Sequence, residues 1–201
     1  MFYATDENLH GLPRDPFKAI VAPRPIGWIG TRGRDGSRNL SPYSFFNAVS
    51  DKPKIVMFSS GGRKHSLRNC EETGMFTASL VSAHLAAQMN LSSIAVPYGT
   101  DEFEIAGLTP ADGILVDAPY VAEAFAALEC RVTQILQPAT LSGEPGDNWV
   151  VFGQVVGIHL SEAVIRDGRI DMALARPIAR LGYLDYCEGS NIFEMERPRT
   201  D

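Results

Sequence analysis

The chain has 201 residues, 45% of them hydrophobic and 21% charged, a balance that excludes a disordered or fibrous protein and favours one domain over residues 1–201. Its 18 lysines and arginines against 24 aspartates and glutamates leave a formal charge of −6, which argues against broad nucleic-acid binding, because displacing counterions from phosphates needs clustered cations. The start MFYATDENLHGLPRDP is unlike a secretory signal, no stretch holds the roughly 18 consecutive apolar residues of a membrane span, and Cys70, Cys130 and Cys187 form no close pair, so a reducing cytoplasm is expected.

Turn residues recur at short intervals, and most apolar runs between them are of strand length, which predicts a β-rich fold. Residues 19–22 and 26–31 read as strands broken by Pro23-Arg24-Pro25, where two prolines remove ladder donors. Asp35-Gly36 marks a hairpin turn within 32–38, because glycine takes positive φ at no steric cost, and 39–46 reads as the returning strand, kinked at Pro42. The apolar run 54–60 is another strand, ending in Gly61-Gly62. Residues 66–73 form a short predicted helix with Ser66 as candidate N-cap and Gly74 as its stop. Strand 75–81 and an alanine- and leucine-rich helix at 83–91 follow. The stretch 97–118, rich in Gly, Pro, Thr and Asp, reads as a loop or cap over the core. Residues 128–136 and 149–160 are the last long strands; apolar residues on both parities of 149–160 predict cover on both sides, from helices or a second subunit. Residues 197–201 are expected to fray.

The chain has no GxGxxG, Walker loop, HExxH or GxSxG, and its four histidines are scattered, so no metal site is assigned. An enzyme built this way draws its chemistry from a cofactor. The segment Asn39-Leu40-Ser41-Pro42-Tyr43-Ser44 sets small polar groups on a proline-bent strand, suited to the edge of a flat ring; taken alone it reads equally well as an ordinary edge strand. The segment Ser59-Ser60-Gly61-Gly62-Arg63-Lys64-His65-Ser66 joins cations, hydroxyls and backbone amides at a helix entry, which is what a phosphate requires.

In the pieces RPIGWIGT, NLSPYSFFNAVSDKP, VMFSS, KHSLRNCEETGMF and RPIARLGYLDY, spanning about Arg24 to Tyr186, the chain resembles the flavin reductase-like family of FMN-binding split barrels, in its longer, flavoredoxin-type branch. The resemblance implies a mainly β, split β-barrel fold with short flanking helices, a homodimer, and FMN at the subunit interface. It implies reduction of FMN by NADH or NADPH, with an oxygenase or electron-transfer partner as recipient; the alternative is a non-enzymatic FMN electron carrier reduced by a protein partner. No side chain is assigned as catalytic, since the flavin ring does the redox work. The resemblance places the phosphate at Ser59, Lys64 and Ser66, with Arg63 as second cation, and implies further cofactor contacts from Ile26, Trp28, Thr31, Asn39, Leu40, Ser41, Pro42, Tyr43, Ser44 and Arg180. Trp28 reads as well as core or interface, and Arg180 as the partner of a surface acid. His65 stands where many members carry an acid, and both a cap and a ligand contact stay open for it. His159 is either an ordinary strand-end histidine or a contact to the nicotinamide.

Overall fold

The largest element of the computed structural model, which describes residues 1–198, is a seven-stranded antiparallel sheet. Its strands are β1 (Gly27–Arg32), β2 (Arg38–Tyr43), β3 (Phe46–Asp51), β4 (Lys54–Gly61), β5 (Met75–Leu80), β6 (Ala126–Leu136) and β7 (Asn148–Leu160), in the order β2-β1-β5-β6-β7-β4-β3. The two edge strands, β2 and β3, are consecutive in the chain. Laid flat, seven strands spaced by about 4.8 Å would hold these edges about 29 Å apart, whereas the two linking residues, Ser44 and Phe45, reach across no more than about 11 Å. The sheet must therefore curl into a barrel, and beside this link the Ser59 amide of β4 donates to the Phe45 carbonyl at 2.8 Å, extending the β3–β4 ladder by one residue.

Alternation along β1 divides the core. Trp28 points to a cluster with Leu40, Leu85, Met89, Phe103 and Val121 under the helices, while Ile29 joins Tyr43, Phe58, Leu67, Phe76 and Val151 inside the barrel. Both faces of β1 are thus covered. The aromatic rings Tyr43, Phe58 and Phe76 pack in sequence at centroid distances of 4.8 and 5.3 Å. By contrast β7 turns Val150, Phe152 and Ile158 outward, half-buried or exposed, so within one chain the expected two-sided cover of 149–160 is incomplete.

The hairpin turn forms as expected, with Gly36 at φ 84° and the Gly33 amide on the Ser37 carbonyl. The helix α1 (His65–Thr73) stops at Gly74, which takes φ 71°. Its N-cap is Lys64, with no side-chain cap, and not Ser66; Ser66 lies inside the first turn, where its hydroxyl accepts from Asn39 Nδ2. Residues 17–20 form one helical turn instead of the strand expected at 19–22, because Asp15 accepts the Phe17 amide at 2.8 Å and starts a turn. Strand β3 runs beyond the return strand expected at 39–46 and carries little periodic signal, because its burial is almost wholly in Phe46. The 97–118 stretch holds a helix, Glu102–Ala106, capped by Asp101 and ended by Gly107. Expected fraying at 197–201 falls largely on residues 199–201, outside the described residues. No helix among the described residues is long and apolar enough to cross a membrane.

Candidate functional site

Two adjoining clefts open at the barrel seam. The first encloses about 490 Å³ between the β2–β3 link (Ser41, Pro42, Tyr43, Ser44, Phe45), the end of β4 (Ser59, Gly61), Lys64 and Asn148. Its neighbour, about 370 Å³, is bounded by Arg24, Ile26, Met89, Arg180, Tyr183 and Tyr186. Lys18, Pro42, Ser44 and Ser93 line both, so the two form one groove with Lys64 bordering one arm and Arg180 the other.

The first arm is built for an anion. Helix α1 begins there with no side-chain cap on its first-turn amides, which leaves the positive end of the helix dipole unanswered. Lys64 stands at that N-cap, exposed, and Asn148 Nδ2 holds the Ser59 hydroxyl at 2.9 Å as an acceptor, turning its proton free to donate elsewhere. Behind the wall, Tyr43 is buried, burial raises its phenol above the usual range, and the hydroxyls of Ser66, Ser60 and Ser41 surround it. None of those neighbours is in hydrogen-bonding geometry, so Tyr43 Oη has no partner.

Four cations line the groove: Lys18, Arg24, Lys64 and Arg180. Among the described residues none forms an ion pair, whereas six other arginines do. Arg24 is 7% exposed and spends its guanidinium on the carbonyls of Lys18, Val21 and Leu181, leaving Nε without a partner. It thereby ties the N-terminal turn to the Leu181 segment.

Of the residues singled out in the sequence, Ile26, Ser41, Pro42, Tyr43, Ser44, Ser59, Lys64 and Arg180 line the groove. Trp28, Thr31 and Leu40 do not: all three are 0% exposed. The Trp28 indole donates to Ser92 Oγ at 2.8 Å within the core. Thr31 Oγ1 accepts from Asn39 and Asn69, and Asn39 also reaches Ser66, so Thr31, Asn39 and Ser66 form a buried network pinning α1 to β1 and β2. Their side chains hold the wall from behind. Arg63 turns away from the groove onto Glu71, at 2.6 Å, and over the Trp149 ring. His159 is also remote: it lies roughly 30 Å along β7 from Val150, the register partner of Ser59. There its Nε2 meets Glu129 at 2.6 Å and its ring stacks on Tyr120. His65 packs edge-on against Tyr98. Sequence reasoning missed Lys18, Ser93 and Asn148, which the fold brings in from separate segments with no local motif to mark them, and Arg24, which opens RPIGWIGT but was assigned no role there.

A family model described as "Flavin reductase like domain" matches residues 21–176. An uncharacterised protein of Deinococcus radiodurans is 39% identical over 192 residues, covering 89% of this chain and 82% of that protein. Among solved structures, nitrilotriacetate monooxygenase component B from Bacillus cereus superposes with a TM-score of 0.86 at 27% identity, covering 97% of this chain and 98% of that one. Flavoredoxin of Desulfovibrio vulgaris (Miyazaki F) gives 0.75 at 24% identity, with 89% and 91% covered, a likeness of fold.

Proposed function

Because the chain belongs to the flavin reductase-like family, we propose that it binds FMN in the seam groove and reduces it with NADH or NADPH. The observation that carries this reading is Lys64, a cation without an ion pair among the described residues, set at the N-cap of α1, which has no side-chain cap, in the cleft that Ser59 also lines. These groups together suit a phosphate dianion. The wall from Ser41 to Phe45 offers hydroxyls and an aromatic face for a flat ring.

When bound, the flavin would supply the redox chemistry, as the acceptor of hydride. The protein's part would be to hold the phosphate with Lys64 and Ser59 and to seat the ring along the wall from Ser41 to Phe45. Gly61 keeps the phosphate end open, since a Cβ there would meet nothing within 4 Å and the space stays available to ligand.

The working unit in this reading is a homodimer with the flavin at its interface. An apolar surface of Val49, Met57, Val150 and Phe152 adjoins the groove through Ser44, Phe45 and Ser59, which line both; Val49 is 49% exposed. A second copy of the chain would cover this surface and close the groove. The Bacillus cereus neighbour is named as a monooxygenase component, which supports an oxygenase as recipient of the reduced flavin. The chain's free cysteines suit a reducing cytoplasm.

The test is the visible spectrum of the protein mixed with FMN, before and after anaerobic addition of NADH or NADPH, with sedimentation to read the assembly. Bleaching of the flavin band that depends on the protein is expected, from a dimer. A flavin held tightly but reduced only by a protein donor would replace the reductase with an electron carrier. Failure to take up FMN would refute both.

A further inference from the structure

The groove has cationic groups in both arms, while a mononucleotide carries one anionic tail. Arg24 and Arg180 are direct register partners on paired strands, so two guanidinium groups lie side by side in the second arm. Both meet only neutral acceptors, and Arg24 Nε has none. Arg24 uses three backbone carbonyls, and Arg180 uses the Tyr186 hydroxyl and the Tyr183 carbonyl while stacking 4.5 Å from the Tyr186 ring centroid. Their mutual repulsion is not cancelled: burial, and then the Arg180 charge, pushes the Arg24 guanidinium below its ordinary pKa. Lys18 adds a third cation, its Nζ 5.9 Å from the Phe45 ring centroid. The one acid on this wall, Asp15, is engaged by the Phe17 amide and by Asn8 Nδ2. In a chain with six more acidic than basic groups, cations left unpaired at one place make a local inversion of charge suited to an incoming anion.

We propose that Arg180 and Lys18, backed by Arg24, bind the diphosphate of the reduced nicotinamide dinucleotide, at a subsite separate from the flavin phosphate. This rests on the reading that Lys64 and Ser59 take the flavin phosphate, which leaves this arm for the second substrate. Pro42, Ser44 and Ser93, common to both arms with Lys18, then lie where the two ligands meet, and Lys18 stands at the border of the diphosphate subsite. Arg180 presents a planar fork matched to phosphate oxygens and Lys18 a mobile point charge.

The experiment titrates FMN-loaded protein with inorganic pyrophosphate by calorimetry, for wild type, Lys18→Ala, Arg180→Gln and Arg180→Lys, alongside steady-state kinetics with NADH and with reduced nicotinamide riboside, which has no diphosphate. Expected is a weakening of pyrophosphate binding by about tenfold or more in Lys18→Ala and Arg180→Gln, with Arg180→Lys intermediate. The KM for NADH should rise in step while that for the riboside stays put, and the preference for FMN over riboflavin should be unchanged. The Lys18 side chain is exposed and forms no hydrogen bond or ion pair among the described residues, so its variant keeps the result interpretable should Arg180→Gln unfold. Unchanged pyrophosphate binding and NADH KM in both variants would overturn the subsite and leave the flavin reading standing. If the variants instead weaken FMN but not riboflavin, the flavin phosphate lies in this arm, and both assignments fail.

Discussion

Replacing Lys64 by alanine removes one charge from the first arm of the groove and leaves the rest of the cradle in place. A charge-assisted hydrogen bond is worth about 1.5 to 3 kcal/mol. Lys64 is exposed, so solvent screening puts the loss near the lower bound, about tenfold in Kd. The first-turn amides of α1 and the Ser59 hydroxyl remain to hold the phosphate, so binding is weakened and not abolished. Riboflavin has the same ring but no phosphate, and its affinity should change by less than about twofold, as expected for a change outside the ring wall. The two ligands are compared by quenching of flavin fluorescence, at low ionic strength and again near 1 M salt, where a Debye length of about 3 Å should shrink the wild-type advantage for FMN. Equal weakening of both flavins, or of neither, would refute the placement of the phosphate at Lys64.

Trp28→Phe loses the indole bond to Ser92 and some core volume; urea unfolding should show a loss of about 1 to 3 kcal/mol with flavin affinity per folded molecule unchanged, and the reverse pattern would make Trp28 a ligand contact. Thr31→Val leaves Asn69 Nδ2 without its acceptor, costing about 1 to 3 kcal/mol; an unchanged melting temperature would mean the network does not hold α1. Burial opposes ionisation of Glu129, but the amides of Ile114, Leu115 and Val116 and the His159 ring outweigh it, so its carboxyl titrates below its ordinary value. The stabilisation is therefore present above the unfolded value, about 4.3, and lost as pH falls through the lower folded one. Glu129→Gln should be less stable than wild type at pH 7, with the gap closing towards pH 3 in denaturant titrations, and a gap independent of pH would contradict the assignment.

Local chemistry made much of this molecule readable in advance. The Asp35-Gly36 turn, the Gly74 stop and the run ending in Gly61-Gly62 each act through backbone preferences of neighbouring residues, and each stands where the sequence implied. Ser41 to Ser44, Ser59 and Lys64 sit on or beside those same elements and line the groove. What escaped depends on partners distant in the chain. Lys18 and Arg24 reach the groove because Arg24 is paired with Arg180, more than 150 residues away. Arg63 and His159 carry the right chemistry for a ligand, yet Glu71 and Glu129 meet them first. The resemblance implies Thr31 and Asn39 as ligand contacts; the helix packed over them makes their side chains partners in one buried network.

The bond from the Ser59 amide to the Phe45 carbonyl ends the β3–β4 ladder beside the joint where β2 and β3, the two edges of the sheet, meet without a ladder between them, and both residues also line the groove. A molecule seated there would act as a rivet across the joint. Loading the protein should slow deuterium uptake at Ser59 and its neighbours more than at the midpoint of β6, because the joint is where the cylinder would spring open first.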